Sequence, residues 1–131
     1  MVSGCGGGAE SPTSPSGRSV PLGVSSGRYT GSGVDVDVAG SALNEVGGAV
    51  LVESIAGVFL LARTAAGTFS AIDAVCSHQS CTVSGADDTV YVCPCHGSRY
   101  DRNGRVLNGP ATAALRQFAT RFASGIVTIV L

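Results

Sequence analysis

Cys76-Ser77-His78-Gln79-Ser80-Cys81 and Cys93-Pro94-Cys95-His96-Gly97-Ser98-Arg99-Tyr100-Asp101 are the two stretches on which the reading of this chain turns. Of five cysteines and two histidines in 131 residues, all but Cys5 fall between positions 76 and 96. Written as spacings, they give C-x-H, fourteen intervening residues and C-x-x-H. Unrelated buried thiols and surface histidines would be scattered, whereas thiolates and imidazoles at such intervals are metal ligands. Two arrangements use them. Two Cys and two His close a tetrahedral structural zinc site, or they divide between the irons of a [2Fe–2S] cluster, thiolates on one and imidazoles on the other. Cys81 and Cys95 are then left over, one in each loop. Two loops meeting at a cluster would bring them within reach of a disulfide, provided their Cα atoms lie about 4.4–6.8 Å apart. Making all four cysteines ligands instead leaves both histidines idle.

Outward from these loops the chain is a series of short strands. Val34-Asp35-Val36-Asp37-Val38 alternates with period two, as a strand with one buried face does. Ala49–Glu53, Val58–Arg63, Thr68–Ala71, Val90–Cys93, Phe118–Phe122 and Ile126–Val130 are further strands between turn signals, and Ser124-Gly125 reads as a two-residue hairpin turn. Ser41–Val46 is expected to form one helical turn, and Asp87-Asp88 a solvated hairpin tip. Asp73 is read as a turn or capping residue rather than a ligand, because an oxygen donor suits harder ions. The spacing of turns favours an all-β sandwich or barrel. Residues 1–32, rich in Gly, Ser and Pro, cannot bury enough apolar surface to offset their ordering entropy and read as a flexible tether. Residues 33–131 form the domain.

Composition narrows the functions. The hydrophobic fraction is 44%, aromatic residues are 5% and tryptophan is absent, so aliphatic side chains must fill the core. A net charge of −1, with arginine the only basic side chain apart from histidine, excludes nucleic acid as the main partner. The apolar stretch 49–62 is interrupted by Glu53 and Ser54 and is shorter than the ~20 residues of a bilayer-spanning helix.

The two quoted stretches resemble the cluster-binding boxes of Rieske iron–sulfur proteins, specifically the disulfide-containing branch of cytochrome bc and b6f complexes and of the small subunit of arsenite oxidase. Gly104-Arg105-Val106-Leu107-Asn108-Gly109-Pro110-Ala111 is similar to the third loop, which covers the cluster in that family. The resemblance implies an all-β, Rieske-type antiparallel sandwich carrying a cluster-binding subdomain, with its loops at about 74–111. It implies one [2Fe–2S] cluster, with Cys76 and Cys93 on the inner iron and His78 and His96 on the outer. It further implies a Cys81–Cys95 disulfide, a hydroxyl of Ser98 donated to a bridging sulfide, and a phenol of Tyr100 donated to the sulfur of Cys93 or Cys76. Gly97 and Gly109 would permit close backbone approach and Pro110 would stiffen the covering loop. For Gly85 and Gly104 ordinary turn punctuation is equally compatible, and no role is assigned to either.

The donor set also predicts the chemistry. Neutral imidazoles in place of two thiolates leave the oxidised core formally neutral, which raises the potential into the range of about −150 to +300 mV. Hydrogen bonds from Ser98 and Tyr100 would favour its positive part. The negative charge added on reduction would raise the pKa of His78 and His96 and couple electron to proton uptake. One-electron transfer with no independent substrate turnover is the expected function. The expected partners are redox proteins: a cytochrome, a quinol-oxidising complex or another oxidoreductase subunit. A ferredoxin component of an oxygenase is the competing reading, and a zinc-stabilised binding module a remoter one. Gln79-Ser80 stand where quinol-oxidising relatives commonly carry Leu-Gly, which favours a carrier between proteins. Val2-Ser3-Gly4-Cys5 resembles the end of a bacterial lipobox, with Cys5 the lipid anchor, although no apolar run precedes it in this sequence. Together with a disulfide, this places the expected location at the extracytoplasmic face of the bacterial cell envelope.

Overall fold

Ala49-Val50-Leu51-Val52 and Val58-Phe59-Leu60-Leu61-Ala62 are apolar at every position because their strands are covered on both faces. The computed structural model, which describes residues 19–76 and 81–131, puts them at the centre of the molecule. β5 (Ala49–Ser54), β6 (Gly57–Ala65) and β7 (Thr68–Asp73) form antiparallel neighbours in a sheet flanked by β12 (Gln117–Phe118) and β2 (Gly23–Ser26), in the order β12-β7-β6-β5-β2. Successive side chains then point to opposite faces. Leu51, Leu60, Ala62 and Ile72 join one buried cluster, and Val50, Val52, Phe59, Leu61 and Phe69 another.

The second of these cores is closed by the sheet β13-β14-β4-β3, made of β13 (Thr120–Ala123), β14 (Ile126–Val130), β4 (Gly33–Asp37) and β3 (Arg28–Tyr29). Here the alternation read from the sequence is realised. Val34 and Val36 are fully buried against Val127 and Ile129, while Asp35 accepts a hydrogen bond from the Thr128 hydroxyl at 2.7 Å. Each such aliphatic side chain contributes ~1.5–3 kcal/mol of burial relative to exposure. Ser124 and Gly125 both take positive φ, 54° and 75°, as a mirror-image hairpin turn requires. The expected helical turn is a 3-10 turn at Ala42–Asn44, with Ser41 accepting the Leu43 N–H and Leu43 buried.

The first core is closed by the third sheet, β11-β10-β9-β8-β1, which carries the ligand loops. It comprises β1 (Val20–Pro21), β8 (Gly85–Asp87), β9 (Val90–Val92), β10 (Arg99–Tyr100) and β11 (Val106–Asn108). The sandwich with a cluster-binding subdomain is therefore the observed architecture, and all its pairings are antiparallel except β2 on β5. No helix among the described residues is long and apolar enough to cross a membrane.

Two expectations change. Phe118–Phe122 is not one strand: the chain switches sheets at Ala119, so that β12 pairs with β7 and β13 with β14. Phe118 and Phe122 are thereby directed onto Phe59 and Phe69, with ring centroids 5.2 and 4.9 Å apart. The expected tether does not run unbroken to residue 32. From Val20 to Tyr29 the chain supplies an outer strand to each of the three sheets in turn, pairing with β8, β5 and β4. Gly27 makes the crossing possible, since a Cβ there would lie 2.4 Å from Val34 Cγ1. Cys5 lies outside the described residues.

Candidate metal centre

Both ligand loops are closed by the same main-chain device. The N–H of Cys76 donates to the Cys81 carbonyl at 2.5 Å, and the N–H of Cys93 donates to the Ser98 carbonyl at 2.8 Å, each five residues ahead. At the base of the first loop, Val75 bridges to Thr82 and Asp73 Oδ1 accepts the Val75 N–H at 3.0 Å, which gives Asp73 the turn role expected of it. The second loop springs from the β9–β10 pair, with Val92 opposite Arg99. Gly97 has φ 79°, a conformation that favours glycine, and a Cβ there would touch nothing within 4 Å among the described residues.

The loops are joined by a Cys81–Cys95 disulfide with Cα atoms 6.5 Å apart, inside the range the pairing needs. Cys76 and Cys93 are outside any disulfide, 4% and 1% exposed, in the same buried cluster. They adjoin each other. Burial pushes the Cys93 thiol up, backbone N–H groups of Cys95 and His96 pull it back, and the neighbouring Cys76 raises it further. His96 lies on the exposed part of its loop with Pro94, Cys95 and Gly97. The sulfur end of the site is thus inside and the known imidazole end outside. His78, Gln79 and Ser80 lie outside the described residues, and among the described residues no three ligating side chains converge on one point.

Tyr100, fully buried, sets its hydroxyl 3.2 Å from Cys76 Sγ. This puts the phenol beside the sulfur of the first loop, one of the two partners expected for it, and either atom of the pair can donate. Ser98 is 1% exposed and its Oγ accepts the Ala111 N–H at 3.1 Å, which leaves the hydroxyl hydrogen to donate elsewhere. This bond ties the third loop to the second. Gly109 presses the two together: at φ 99°, a Cβ there would lie 2.5 Å from Ser98 Cα. Pro110 follows on the exposed side. Gly104, to which the sequence assigns no role, is also necessary, because it has φ 87° and a Cβ would meet the Leu115 carbonyl oxygen at 2.7 Å. Asp101 holds this turn by accepting the N–H groups of Asn103 and Arg105 at 2.9 and 3.0 Å.

The donor set suits an iron–sulfur group. Two adjoining buried thiols cannot both ionise cheaply unless a cation lies between them, and bound iron supplies it. The N–H and O–H groups aimed at their sulfurs stabilise thiolates, not thiols. The fold and this site define an iron–sulfur electron-transfer domain.

Comparison with known proteins agrees. Residues 34–119 match the Rieske [2Fe-2S] domain, and the chain belongs to that family. It is 38% identical over 64 residues to the cytochrome b6-f complex iron-sulfur subunit of Chlorobaculum thiosulfatiphilum, covering 48% of this chain and 35% of that protein. To the corresponding subunit of Prochlorococcus marinus (strain MIT 9211) it is 53% identical over 47 residues, 34% of this chain and 25% of that one. The matched part is thus about a quarter to a third of the length of these relatives. Among solved structures, the cyanobacterial plasma membrane Rieske protein PetC3 from Synechocystis PCC 6803 superposes with a TM-score of 0.57 at 27% identity, over 63% of this chain and 86% of that one. Naphthalene 1,2-dioxygenase shares the fold, with a TM-score of 0.56 at 17% identity, over 66% of this chain and 23% of that one. The cofactor is one [2Fe–2S] cluster, and the chemistry it supplies is one-electron transfer.

Proposed function

We propose that Cys76 and Cys93 hold the inner iron of the cluster and His78 and His96 the outer, and that the domain passes single electrons between protein partners. The observation that carries this reading is the pair of adjoining buried thiols, one bonded to the Tyr100 hydroxyl, beneath a loop that exposes His96. Each group of the chain then has a task. The disulfide holds the two loops at fixed separation, the Ser98 and Tyr100 hydroxyls stabilise added negative charge, and Gly109 with Pro110 excludes water from one side. Exposure of the imidazole side makes it the docking face for a redox protein.

A carrier on the extracytoplasmic side of a bacterial envelope is the reading favoured here, supported by the disulfide and by the polar Gln79-Ser80. Cys5 as a lipid anchor belongs to it. The second reading, a subunit of a quinol-oxidising complex, is favoured by the names of the b6-f relatives. Low-temperature EPR and visible absorption of the dithionite-reduced protein test the ligand set. A signal of the mixed Cys/His type is expected, and replacement of His96 by Ser should abolish it. A folded, reconstituted protein without iron–sulfur absorption would sink the proposal. Release from the membrane fraction on Cys5→Ala substitution tests the anchor, and a wild-type protein wholly in the cytosol would refute it.

A further inference from the structure

Three arginines lie in or beside the cluster-binding sheet, and two are neutralised. Arg99 pairs with Asp87 in a partly buried ion pair, and Arg105 Nε lies 3.9 Å from an Asp101 carboxylate oxygen. Arg102 has no carboxylate partner among the described residues. Its Nη2 donates instead to the main-chain carbonyls of Asp88 at 3.0 Å and Gly47 at 3.4 Å. The guanidinium carbon stands 4.7 Å from the centroid of the Tyr91 ring. Arg102 Nη1 and the Tyr91 hydroxyl are both buried without a hydrogen-bond partner among the described residues. A buried donor left unmet costs free energy, which the two carbonyl bonds of Nη2 and the ring contact offset only in part.

Its position supplies a reason. Tyr91, fully buried, is the direct cross-strand partner of Tyr100. Tyr100 in turn carries the hydroxyl 3.2 Å from Cys76 Sγ. Tyr91, Tyr100, Cys76 and Cys93 share one apolar cluster, so the charge acts on the sulfurs through packed side chains of low dielectric. We infer that Arg102 is a positioning residue for charge: through Tyr91 it holds an uncompensated positive charge behind the thiolate side of the cluster and thereby favours the reduced state. The inference rests on the cluster assignment above and adds to it a residue that touches neither metal nor ligand.

Two unit charges on the order of 12 Å apart at an effective dielectric of about 20 correspond to roughly a tenfold change in an equilibrium constant. Protein-film voltammetry of the cluster-loaded protein, with EPR of the same samples, reads this directly. In R102Q the ratio of reduced to oxidised protein at a fixed potential should fall roughly three- to tenfold, a lowering of at most ~59 mV for one electron. R102K keeps the charge and should retain most of the wild-type midpoint. Arg121→Gln, on the exposed side of β13, should not move it. An R102Q midpoint equal to wild type with its EPR signal intact would overturn the inference, as would an equal shift in R102K. Should R102Q lose its cluster, Thr89→Glu provides the test. Thr89 and Arg102 line one small cavity of about 170 Å³, and a carboxylate there supplies the missing counter-ion. A lowered midpoint is expected, and an unchanged one overturns the inference. Failure of the cluster assignment looks different, because the wild-type protein would then give no iron–sulfur signal at all.

Discussion

Replacing Tyr100 by Phe removes one oxygen atom from the fully buried position that faces Cys76. The ring, its packing in the apolar cluster and its cross-strand contact with Tyr91 remain. A hydrogen bond to a charged acceptor contributes ~1.5–3 kcal/mol, and about a third to a half of this favours the more negative reduced sulfur over the oxidised one. Taken as ~1 kcal/mol, that is a midpoint lowered by roughly 40 mV, since ~1.4 kcal/mol corresponds to ~59 mV for one electron. Voltammetry of Tyr100→Phe against wild type measures the shift, and thermal melting of both checks that the fold is intact. A midpoint within ~10 mV of wild type, with an unaltered EPR signal, would refute the assignment of the phenol as donor to a thiolate.

Ser98→Ala removes the acceptor of the buried Ala111 N–H and, on the proposed assignment, the donor to a bridging sulfide, so its midpoint should fall and, unlike Tyr100→Phe, its stability should drop by ~1–3 kcal/mol. Voltammetry and denaturant titration separate the two effects. Gly109→Ala drives a Cβ to 2.5 Å from Ser98 Cα and should prevent stable cluster retention, whereas Gly97→Ala meets no atom of the described residues and should cost only about 1–2 kcal/mol of backbone strain; iron analysis and melting of both variants distinguish them. Replacing Cys81 and Cys95 together by Ser opens a loop of 14 residues and should lower stability by ~3 kcal/mol, measured in denaturant without reductant. Deleting residues 1–32 strips an outer strand from each of the three sheets and should lower the melting temperature by several degrees, roughly 4–8 °C per kcal/mol lost at this size.

Much of this was legible in the residue order because it depends on short-range patterns. Val34-Asp35-Val36 could only be a strand with one wet face, and the doubly apolar Val58–Ala62 run belongs to a strand with none. Ser124-Gly125 announced its hairpin because few residue pairs tolerate two positive φ values in succession. The spacing of Cys76, Cys81, Cys93, Cys95 and His96 marked the site, since ligand geometry restricts spacing more tightly than any fold does. β8, β10 and β11, only two or three residues long, carry no such pattern and exist because neighbouring strands offer them partners.

The same division governs the N-terminal segment and the site's surroundings. A Gly/Ser-rich stretch has no propensity that distinguishes a tether from an edge strand; Val20–Tyr29 becomes three strands because three sheets present open edges along its path. Gly104 looked like any turn glycine until Leu115, eleven positions away, was seen to fill the space its side chain would occupy. Local order therefore specified the longer strands and the proposed ligands, through periodicity and coordination chemistry. Which thiols adjoin, which sulfur lies beside the Tyr100 hydroxyl and how Arg102 comes to stand over Tyr91 were decided by packing in three dimensions, because each depends on residues that meet only after the sheets have stacked.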